Sequence, residues 1–350
     1  MSEPILIDGS TGEGGGQVLR TSLSLSMLTG NPFQIINIRA RRRNPGLQPQ
    51  HLAAVQAAAK ISQASVEGAA AGSQSITFHP GKIRHGKFHF SVGTAGSVTL
   101  VLQTILLPLC LSSQQSSTVT ISGGTHVPWS PSFHYLDLHW LPYLRLMGAR
   151  VRLTLEKAGY YPAGGGQITA AVQPGALLQP ICLVERGSSN KAIRIYGISG
   201  VSNLDMDIAT RQKHQALRRL QSTYPDARIK SMEIPAFGKG SFLILLAEFE
   251  KSRACYGALG AKGKRAEQVA DEACDALEKM LAGPAAVDEY LADQLLLPMA
   301  LAKGESQLFT ARVTGHLLTN AAIIRQFLSG DISIQGEFDQ PGMVSVRPGL

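Results

Sequence analysis

A glycine loop near the start of the chain carries a single carboxylate and leads into a predicted helix. Residues 12–17 read Gly-Glu-Gly-Gly-Gly-Gln. Glycines let the backbone approach an anion closely, and the start of a helix offers unpaired N–H groups and the positive end of its dipole. Because Glu13 would repel a bare phosphate, the loop favours a phosphate held together with a divalent cation. The alternative interpretation is a tight turn between a strand and the helix.

Positive charge is concentrated around this loop. Arg20 lies about one turn into the predicted helix, and residues 39–43 contain four arginines between a predicted strand and a helix beginning at Pro49. The formal net charge of the chain is +8, which favours an anionic partner, either nucleic acid or a phosphorylated metabolite. A guanidinium binds two phosphate oxygens at once, so these arginines are candidate phosphate ligands. A solvated basic loop is the alternative for residues 39–43.

A histidine opens the last predicted helix. An alternating strand pattern at 307–313 runs into Thr314-Gly315, and His316 begins the helical pattern. The positive end of a helix dipole disfavours the imidazolium and leaves a neutral ring with a nucleophilic nitrogen. Asn320 shares the helix face of His316 and could hold one ring nitrogen so that the other is presented. The alternative is a partly buried histidine that only caps the helix.

Polar side chains also interrupt two otherwise apolar helical stretches. Tyr290, Asp293 and Gln294 fall on one helix face, where they could stack on a base and bind its edges or a ribose. An ordinary amphipathic surface would have the same pattern. Gln103 is an amide inside an apolar helix, so it needs a hydrogen-bonding partner, which is either a ligand or a neighbouring carbonyl group.

Composition and missing motifs exclude several classes of protein. The 350 residues have an ordinary globular α/β composition and suffice for two modules. No HExxH motif, Cys/His cluster or GxSxG elbow occurs, which argues against a zinc site and a serine hydrolase. Four widely spaced cysteines predict reduced thiols in the core. Since neither a signal peptide nor an apolar run of membrane-spanning length is found, we expect a cytoplasmic protein without a membrane partner.

The order of strand and helix patterns predicts a repeated architecture. Both alternate along the first half, and Gly-Gly-Gly-Gln at 14–17 recurs at 164–167. We interpret this repeated motif, together with the glycines at 93–97, as a sign that small α/β units are repeated along the chain. From about residue 181 the sequence becomes more charged, and apolar sequence returns after Gly283-Pro284. We therefore predict a large domain at 1–180 and 283–350, with a smaller α/β domain inserted at 181–282.

Seven motifs taken in order closely resemble the RNA 3′-terminal phosphate cyclases, and the resemblance is weakest in the inserted middle. They stand at 12–20, 39–46, 93–103, 123–125, 160–166, 290–294 and 316–320. The resemblance implies an α/β (α+β) fold, with three repeated βαβ-type units that each form a small sheet with two helices, and an inserted smaller α/β domain. It also implies a ligase-class enzyme that uses ATP to convert an RNA 3′-phosphate into a 2′,3′-cyclic phosphate. In this family a histidine takes AMP from ATP, AMP passes to the RNA 3′-phosphate, and the adjacent 2′-hydroxyl closes the ring.

The resemblance also implies a role for each matching residue. His316 is implied to be the nucleophile, and Glu13 to be a ligand of a divalent metal, Mg²⁺ or Mn²⁺. The 3′-phosphate of RNA is implied to bind Arg20, Arg39 and Arg42. The ATP pocket is implied to contain Gln103, Pro131, Tyr290, Leu291, Ala292, Asp293 and Gln294.

Two other functions stay open at this point. One is a noncatalytic RNA-processing scaffold, since the fold has a branch without the nucleophilic histidine, although His316 argues against it. The other is a metabolic enzyme of the enolpyruvyl-transferase type, which is built from similar repeated units. His134 is a departure from the family pattern, because an aspartate is expected there, and it changes the electrostatics near the pocket. The sequence does not specify an oligomeric state.

Overall fold

The protein consists of small sheets with helices packed between them. The computed structural model describes residues 3–111, 115–188 and 193–349, and within these ranges there are four sheets of four strands each. Residues 189–192, which belong to the predicted insertion, lie outside the described ranges.

The first unit alternates strands and helices and ends with a hairpin. It contains β1 (Ile5–Asp8), α1 (Gly16–Thr29), β2 (Phe33–Ile36), α2 (Pro49–Ser62), β3 (Ser65–Glu67) and β4 (Ile76–His79). Its strand order is β1-β2-β4-β3, with β1 parallel to β2 and the other pairs antiparallel. Phe33 and Ile35 are buried while their neighbours on β2 are partly exposed, as expected for a strand with one face on the core.

The second unit repeats this connectivity. It contains β5 (Lys87–Ser91), α3 (Val98–Leu111), β6 (Ser117–Gly123), α4 (Phe133–Tyr135), a π-helix (Leu136–Trp140), α5 (Leu141–Leu146), β7 (Val151–Lys157) and β8 (Gly166–Val172). Its strand order, β5-β6-β8-β7, matches that of the first unit, again with the first pair parallel.

The third unit begins with β9 (Cys182–Leu183), and the chain then leaves it for a separate sheet. That sheet and its helices contain β10 (Arg194–Ser202), α6 (Met206–Leu220), β11 (Arg228–Glu233), β12 (Gly240–Glu248), β13 (Arg253–Leu259) and α7 (Ala266–Ala282). The strand order here is β11-β10-β12-β13. A second cluster of buried apolar side chains, which includes Leu243, Leu245 and Leu277, packs between this sheet and its helices.

The chain then completes the third unit. This remaining part contains α8 (Glu289–Ala300), β14 (Ser306–Thr310), α9 (Gly315–Phe327), β15 (Asp331–Gln335) and β16 (Gly342–Arg347). Because β9 is parallel to β14 in the order β15-β16-β14-β9, the connectivity is that of the first two units. The extra sheet is therefore inserted between the first strand and the first helix of this unit.

These findings confirm the predicted fold class of three repeated α/β units with an α/β insertion; the residue bounds of the two predicted domains stay a prediction. The repeated Gly-Gly-Gly-Gln motif does not occupy equivalent positions in the repeated units, because 14–17 leads into α1 whereas 164–167 leads into β8. The equivalent loops are 12–16 and 93–97, which both join the first strand of a unit to its first helix.

Helices from different units pack directly on one another. α1 contacts α2, α3 and α9, and α8 contacts α9. Leu19 and Leu23 of α1 are buried in the resulting core, so the apolar face of α1 is shared by all three units. No helix in the described part of the chain is long and apolar enough to cross a membrane.

None of the four cysteines is paired in a disulfide, and one of them is not in the core as predicted. Cys110, Cys255 and Cys274 are buried, whereas Cys182 is exposed. The prediction was wrong for Cys182 because β9 is a two-residue edge strand that leaves this side chain on the surface.

Candidate active site

The glycine loop packs against the first turns of α9. Gly12 and Gly14 have φ angles of +61° and +57°, which residues with side chains rarely adopt. A Cβ atom at Gly12 would also overlap the side chain of Thr319. The N–H of Glu13 donates to Thr319 Oγ1 at 3.3 Å. Glycine is therefore needed both for the shape of the loop and for its close contact with α9.

His316 stands on the first turn of α9, next to this loop. Thr314 caps the helix, because its Oγ1 accepts a hydrogen bond from the N–H of Leu317 at 3.1 Å. The imidazole Nδ1 pairs with Oε2 of Glu13, and the two side chains are 49% and 40% exposed. Since this contact occupies Nδ1, Nε2 is the ring nitrogen that can react with a ligand.

Asp293 of α8 joins three helices beneath the histidine. Its Oδ1 accepts hydrogen bonds from Gln17 Nε2 of α1, at 2.8 Å, and from Asn320 Nδ2 of α9. The Gln17 amide also donates to the carbonyl of His316 at 2.7 Å. Asn320 thus binds Asp293 and not the ring of His316. Desolvation raises the pKa of Asp293 to about 6, although the charge of His316 and the Asn320 hydrogen bond oppose the shift.

The residues predicted to bind ATP come from α3, α8 and the loop before α4. Gln103 Nε2 donates to Gln294 Oε1 at 2.6 Å, so the partner of this partly buried amide is a side chain on α8. Tyr290, one turn before Gln294, is 51% exposed. The carbonyl of Pro131 accepts a hydrogen bond from Thr99, one turn before Gln103, at 2.7 Å. Two further predicted residues are fully buried: Leu291 and Ala292.

The three predicted phosphate-binding arginines lie together with a buried histidine. Arg42 Nη2 donates to the carbonyl of Glu13 at 3.2 Å. Burial and the charge of Arg42 lower the pKa of Arg39, and burial lowers that of Arg20 to about 10. Burial and the charges of Arg20 and Arg39 also lower the pKa of His51 to about 3. Burial is the largest cause of each shift, and neighbouring positive charges add to it at Arg39 and His51; a bound anion would offset both effects.

The acidic groups of the site determine what kind of metal it could hold. Glu13 offers one half-exposed carboxylate beside His316. Among the residues that the structure describes, no three His, Cys, Asp or Glu side chains converge as a metal site. Mg²⁺ commonly binds through one or two carboxylates together with substrate phosphates and waters. The residues therefore fit a divalent cation that arrives with a phosphate, and they do not form a cage of protein ligands.

Two residues of this site were not predicted from the sequence. Gln17 links α1 to α8 and α9, and His51 adjoins Arg20 and Arg39. Both stand in the first turn of a helix that follows a predicted phosphate-binding segment. This position in the first turn could have identified both residues from the sequence, because first-turn residues lie closest to an anion at a helix N-terminus.

Comparisons with known proteins find one family over nearly the whole chain. A family model described as RNA 3′-terminal phosphate cyclase matches residues 11–334. A protein of that name from Ralstonia nicotianae is 46% identical over 96% of this chain and 94% of its own. Another from Caldivirga maquilingensis is 42% identical over 98% of each chain. The enolpyruvyl transferase NikO from Streptomyces tendae has a TM-score of 0.39 at 11% identity, over 98% of this chain and 48% of the other.

Proposed function

Because the chain belongs to the RNA 3′-terminal phosphate cyclase family, we propose that it uses ATP to convert an RNA 3′-phosphate into a 2′,3′-cyclic phosphate. AMP moves from ATP to His316 and then to the RNA 3′-phosphate, and the neighbouring 2′-hydroxyl displaces it. A phosphate monoester oxygen is a poor leaving group, and joining it to AMP makes it a good one. The 2′-hydroxyl is already adjacent, so the ring closes without a diffusional encounter.

The observation that carries the proposal is the setting of His316. Its ring is half exposed at a helix N-terminus, with Nδ1 paired to Glu13 and the arginine group on the other side of the glycine loop. A histidine held by one nitrogen presents the other to an electrophile in a defined direction. The site therefore combines a nucleophile with a place for phosphate, which a noncatalytic scaffold does not need.

Three successive displacements at phosphorus transfer AMP and close the ring. Nε2 of His316 attacks the α-phosphorus of ATP, and the bond to the β-phosphate oxygen breaks, which releases pyrophosphate. An oxygen of the RNA 3′-phosphate then attacks the same phosphorus and breaks its bond to nitrogen, which frees the histidine. Finally the 2′-oxygen attacks the 3′-phosphorus, AMP leaves, and the hydroxyl proton is lost to solvent.

The residues predicted to bind ATP have surroundings that suit this role. Tyr290 offers an exposed ring on which adenine can stack, and the amides of Gln103 and Gln294 offer hydrogen bonds to base edges. Asp293 accepts hydrogen bonds from the ribose, and Pro131 lines the pocket near Gln103. The two buried members of the set hold α8 in the core: Leu291 and Ala292.

The phosphate groups are proposed to bind on both sides of the glycine loop. Arg20, Arg39 and Arg42 hold the RNA 3′-phosphate, because burial and, at Arg39, the neighbouring charge of Arg42 disfavour an unpaired guanidinium and favour a doubly charged anion. Glu13 holds a divalent cation, Mg²⁺ or Mn²⁺, together with the ATP phosphates. When bound, that cation neutralises charge on the phosphates during nucleotidyl transfer. Without it, the same carboxylate orients the histidine ring.

The central test is the covalent intermediate. Enzyme, Mg²⁺ and ATP labelled at the α-phosphate should give a protein adduct that is labile to acid and stable to alkali, as expected for a phosphorus–nitrogen bond. His316→Ala should abolish the adduct, while His89→Ala, at an exposed histidine on β5, should retain it. Labelling of the His316→Ala protein would exclude the assigned nucleophile, and an unlabelled wild type would favour the scaffold.

The substrate test separates activation from ring closure. RNA ending in a 3′-phosphate should become resistant to phosphatase, and RNA ending in a 3′-hydroxyl should not react. A terminal 2′-deoxy substrate should accumulate as the adenylated end, because it lacks the attacking oxygen. Full cyclisation of that substrate would contradict the last step. A cytoplasmic location, consistent with the unpaired cysteines, is part of the same proposal.

A further inference from the structure

Two neighbouring surface loops each present a large aromatic side chain to solvent. Tyr161, in the loop before β8, is 71% exposed, and Phe237, in the loop before β12, is 79% exposed. The loops touch, because a Cβ atom at Gly165 would lie 3.2 Å from the Cβ of Phe237. The stretch at 160–166 is part of the family resemblance, yet the reaction steps above assign it no role.

Hydrogen bonds hold both loops in place. Asn203 Nδ2 donates to the carbonyls of Ala236 and Gly238, at 2.8 and 3.1 Å, on either side of Phe237. The hydroxyl of Tyr160, next to Tyr161, lies 3.1 Å from Ser202 Oγ. The two rings are thus exposed on a fixed backbone, and little further ordering is needed to bind a ligand.

A chain of contacts connects the loops that carry these rings to the arginine group, and Gly93, Thr94 and Gly165 along it are exposed. Gly164 lies against Thr94 and Ala95, so close that a Cβ atom there would stand 2.8 Å from the Thr94 carbonyl oxygen. The loop 93–97 in turn contacts α2, where Ser97 N donates to Gln50 Oε1 at 3.1 Å. Gln50 directly precedes His51, which lies beside Arg20 and Arg39.

This surface has the chemistry of a site for single-stranded nucleic acid. Unpaired bases stack on aromatic rings, and backbone phosphates bind cations such as the exposed Lys239, two residues after Phe237. Two arginines of α6, Arg211 and Arg219, are less suitable because they are paired with acidic residues of α7. Inside a duplex each base is stacked between its neighbours, so the nucleotides upstream of a paired end are not free to stack on protein rings.

We propose that Tyr161 and Phe237 form a stacking platform for the nucleotides upstream of the RNA 3′-phosphate. The 3′-phosphate binds the arginines, the strand crosses the loops at 93–97 and 164–165, and unpaired bases stack on the two rings. Because every base has an aromatic face, the platform selects single strands without selecting a sequence. This inference rests on the proposed function, since it extends the binding of the same RNA end.

The test compares a short and a long substrate. We would measure KM for a dinucleotide and for an unstructured ten-nucleotide RNA, both ending in a 3′-phosphate. Tyr161→Ala and Phe237→Ala should each raise KM for the long RNA about tenfold and change KM for the dinucleotide less than twofold. Tyr161→Phe and Phe237→Tyr should behave like the wild type, because they keep the ring.

The matched control is Tyr196→Ala. Tyr196 is also exposed, but it lies six residues before Ser202 on β10, about 20 Å away along the strand. The Tyr196→Ala variant should leave KM unchanged for both RNAs. The proposal is overturned if the alanine variants at 161 and 237 leave the long RNA unaffected, or if they impair both RNAs equally.

A binding measurement separates this proposal from the proposed function. Fluorescence anisotropy of the labelled ten-nucleotide RNA at fixed salt needs no turnover, and Kd should also increase about tenfold in the alanine variants. If the wild type cyclises neither RNA, the proposed function fails, and Kd still decides the platform. Equal Kd values for wild type and variants overturn the platform even when cyclisation is normal.

Discussion

Asp293 is the residue on which α1, α8 and α9 converge beneath His316. It accepts hydrogen bonds from Gln17 and Asn320, and it is largely removed from water. Desolvation raises its pKa to about 6, compared with an ordinary value of 3.8. The ionised form of Asp293 therefore lowers the stability of the folded protein.

We predict that Asp293→Asn stabilises the protein more at pH 8 than at pH 5. The raised pKa means that the stability contributed by Asp293 is complete below pH 3.8 and lost as the pH rises through 6. An asparagine keeps the oxygen acceptor for Gln17 and Asn320 but never ionises. At pH 8 the variant should therefore exceed the wild type by on the order of 2 kcal/mol in unfolding free energy, measured by urea denaturation.

The same variant should lose adenylylation, because the carboxylate belongs to the proposed ATP pocket. Asp226→Asn, at an exposed position, serves as the control and should show no pH-dependent difference. If Asp293→Asn and wild type differ by the same amount at pH 5 and pH 8, the buried-carboxylate account is wrong.

Among the elements, α8 is positioned by a buried carboxylate whose partners come from three parts of the chain. Asp288 is its N-cap, and its carboxylate accepts hydrogen bonds from Leu291 N and the hydroxyl of Tyr135, each at 2.9 Å. Its other oxygen lies 2.6 Å from His139 Nε2, and both side chains are fully buried. Burial alone would raise the pKa of Asp288, but these partners lower it below its ordinary value. His139 belongs to the π-helix, whose wider turn points to a site constrained by tertiary contacts.

We predict that Asp288→Asn destabilises the protein by about 3 kcal/mol. The amide would put N–H groups against Cys255 N, which now donates to the carboxylate at 3.2 Å, and against His139. Arg211→Gln removes the exposed pair with Glu267, which solvent screens, and should cost much less stability. Urea midpoints followed by circular dichroism compare the two; equal losses would contradict the role given to burial.

For the whole molecule, a pair of buried histidines links the second unit to the inserted sheet. His126 Nε2 lies 2.8 Å from His134 Nδ1, and both rings stack on Phe242 of β12. Burial lowers the pKa of His134 to about 4, and burial together with the charge of His134 lowers that of His126. The position expected to hold an aspartate thus holds a neutral, aromatic contact between the two parts of the chain.

We predict that acid weakens this contact. Because the folded-state pKa values are lowered, the stability that the pair contributes is present above pH 6.5 and is lost as the pH falls towards 4. Tm should therefore decrease between pH 7 and pH 5 by an amount equivalent to about 1 to 2 kcal/mol for each histidine.

His134→Asn should flatten this dependence, since the amide oxygen can replace Nδ1 as an acceptor without gaining a proton. The control is His214→Asn on the exposed face of α6, which should leave the slope of Tm against pH unchanged. Because His126 remains, about half of the slope should persist; a slope as steep as that of the wild type would show that other groups cause the acid sensitivity.

Local patterns predicted most of the fold because they depend on neighbouring residues alone. Alternation and helical periodicity identified strands such as β2 and helices such as α2, whose start at Pro49 is confirmed. The same periodicity predicts one regular helix over 131–147, whereas the structure has a π turn at Leu136–Trp140. That turn brings His139 to Asp288, 149 positions away in the sequence. A contact between such distant residues cannot be predicted from the spacing of neighbouring residues.

The sequence alone determined which residue types were available for chemistry: a carboxylate among glycines, grouped arginines and a histidine that opens a helix. Only the tertiary structure decided their partners. Glu13 and not Asn320 contacts the ring of His316, and Gln17 bridges to a carbonyl 299 positions away. The reason is physical, because these contacts depend on how the helices of three units pack, and that packing is set by apolar surface shared among distant segments.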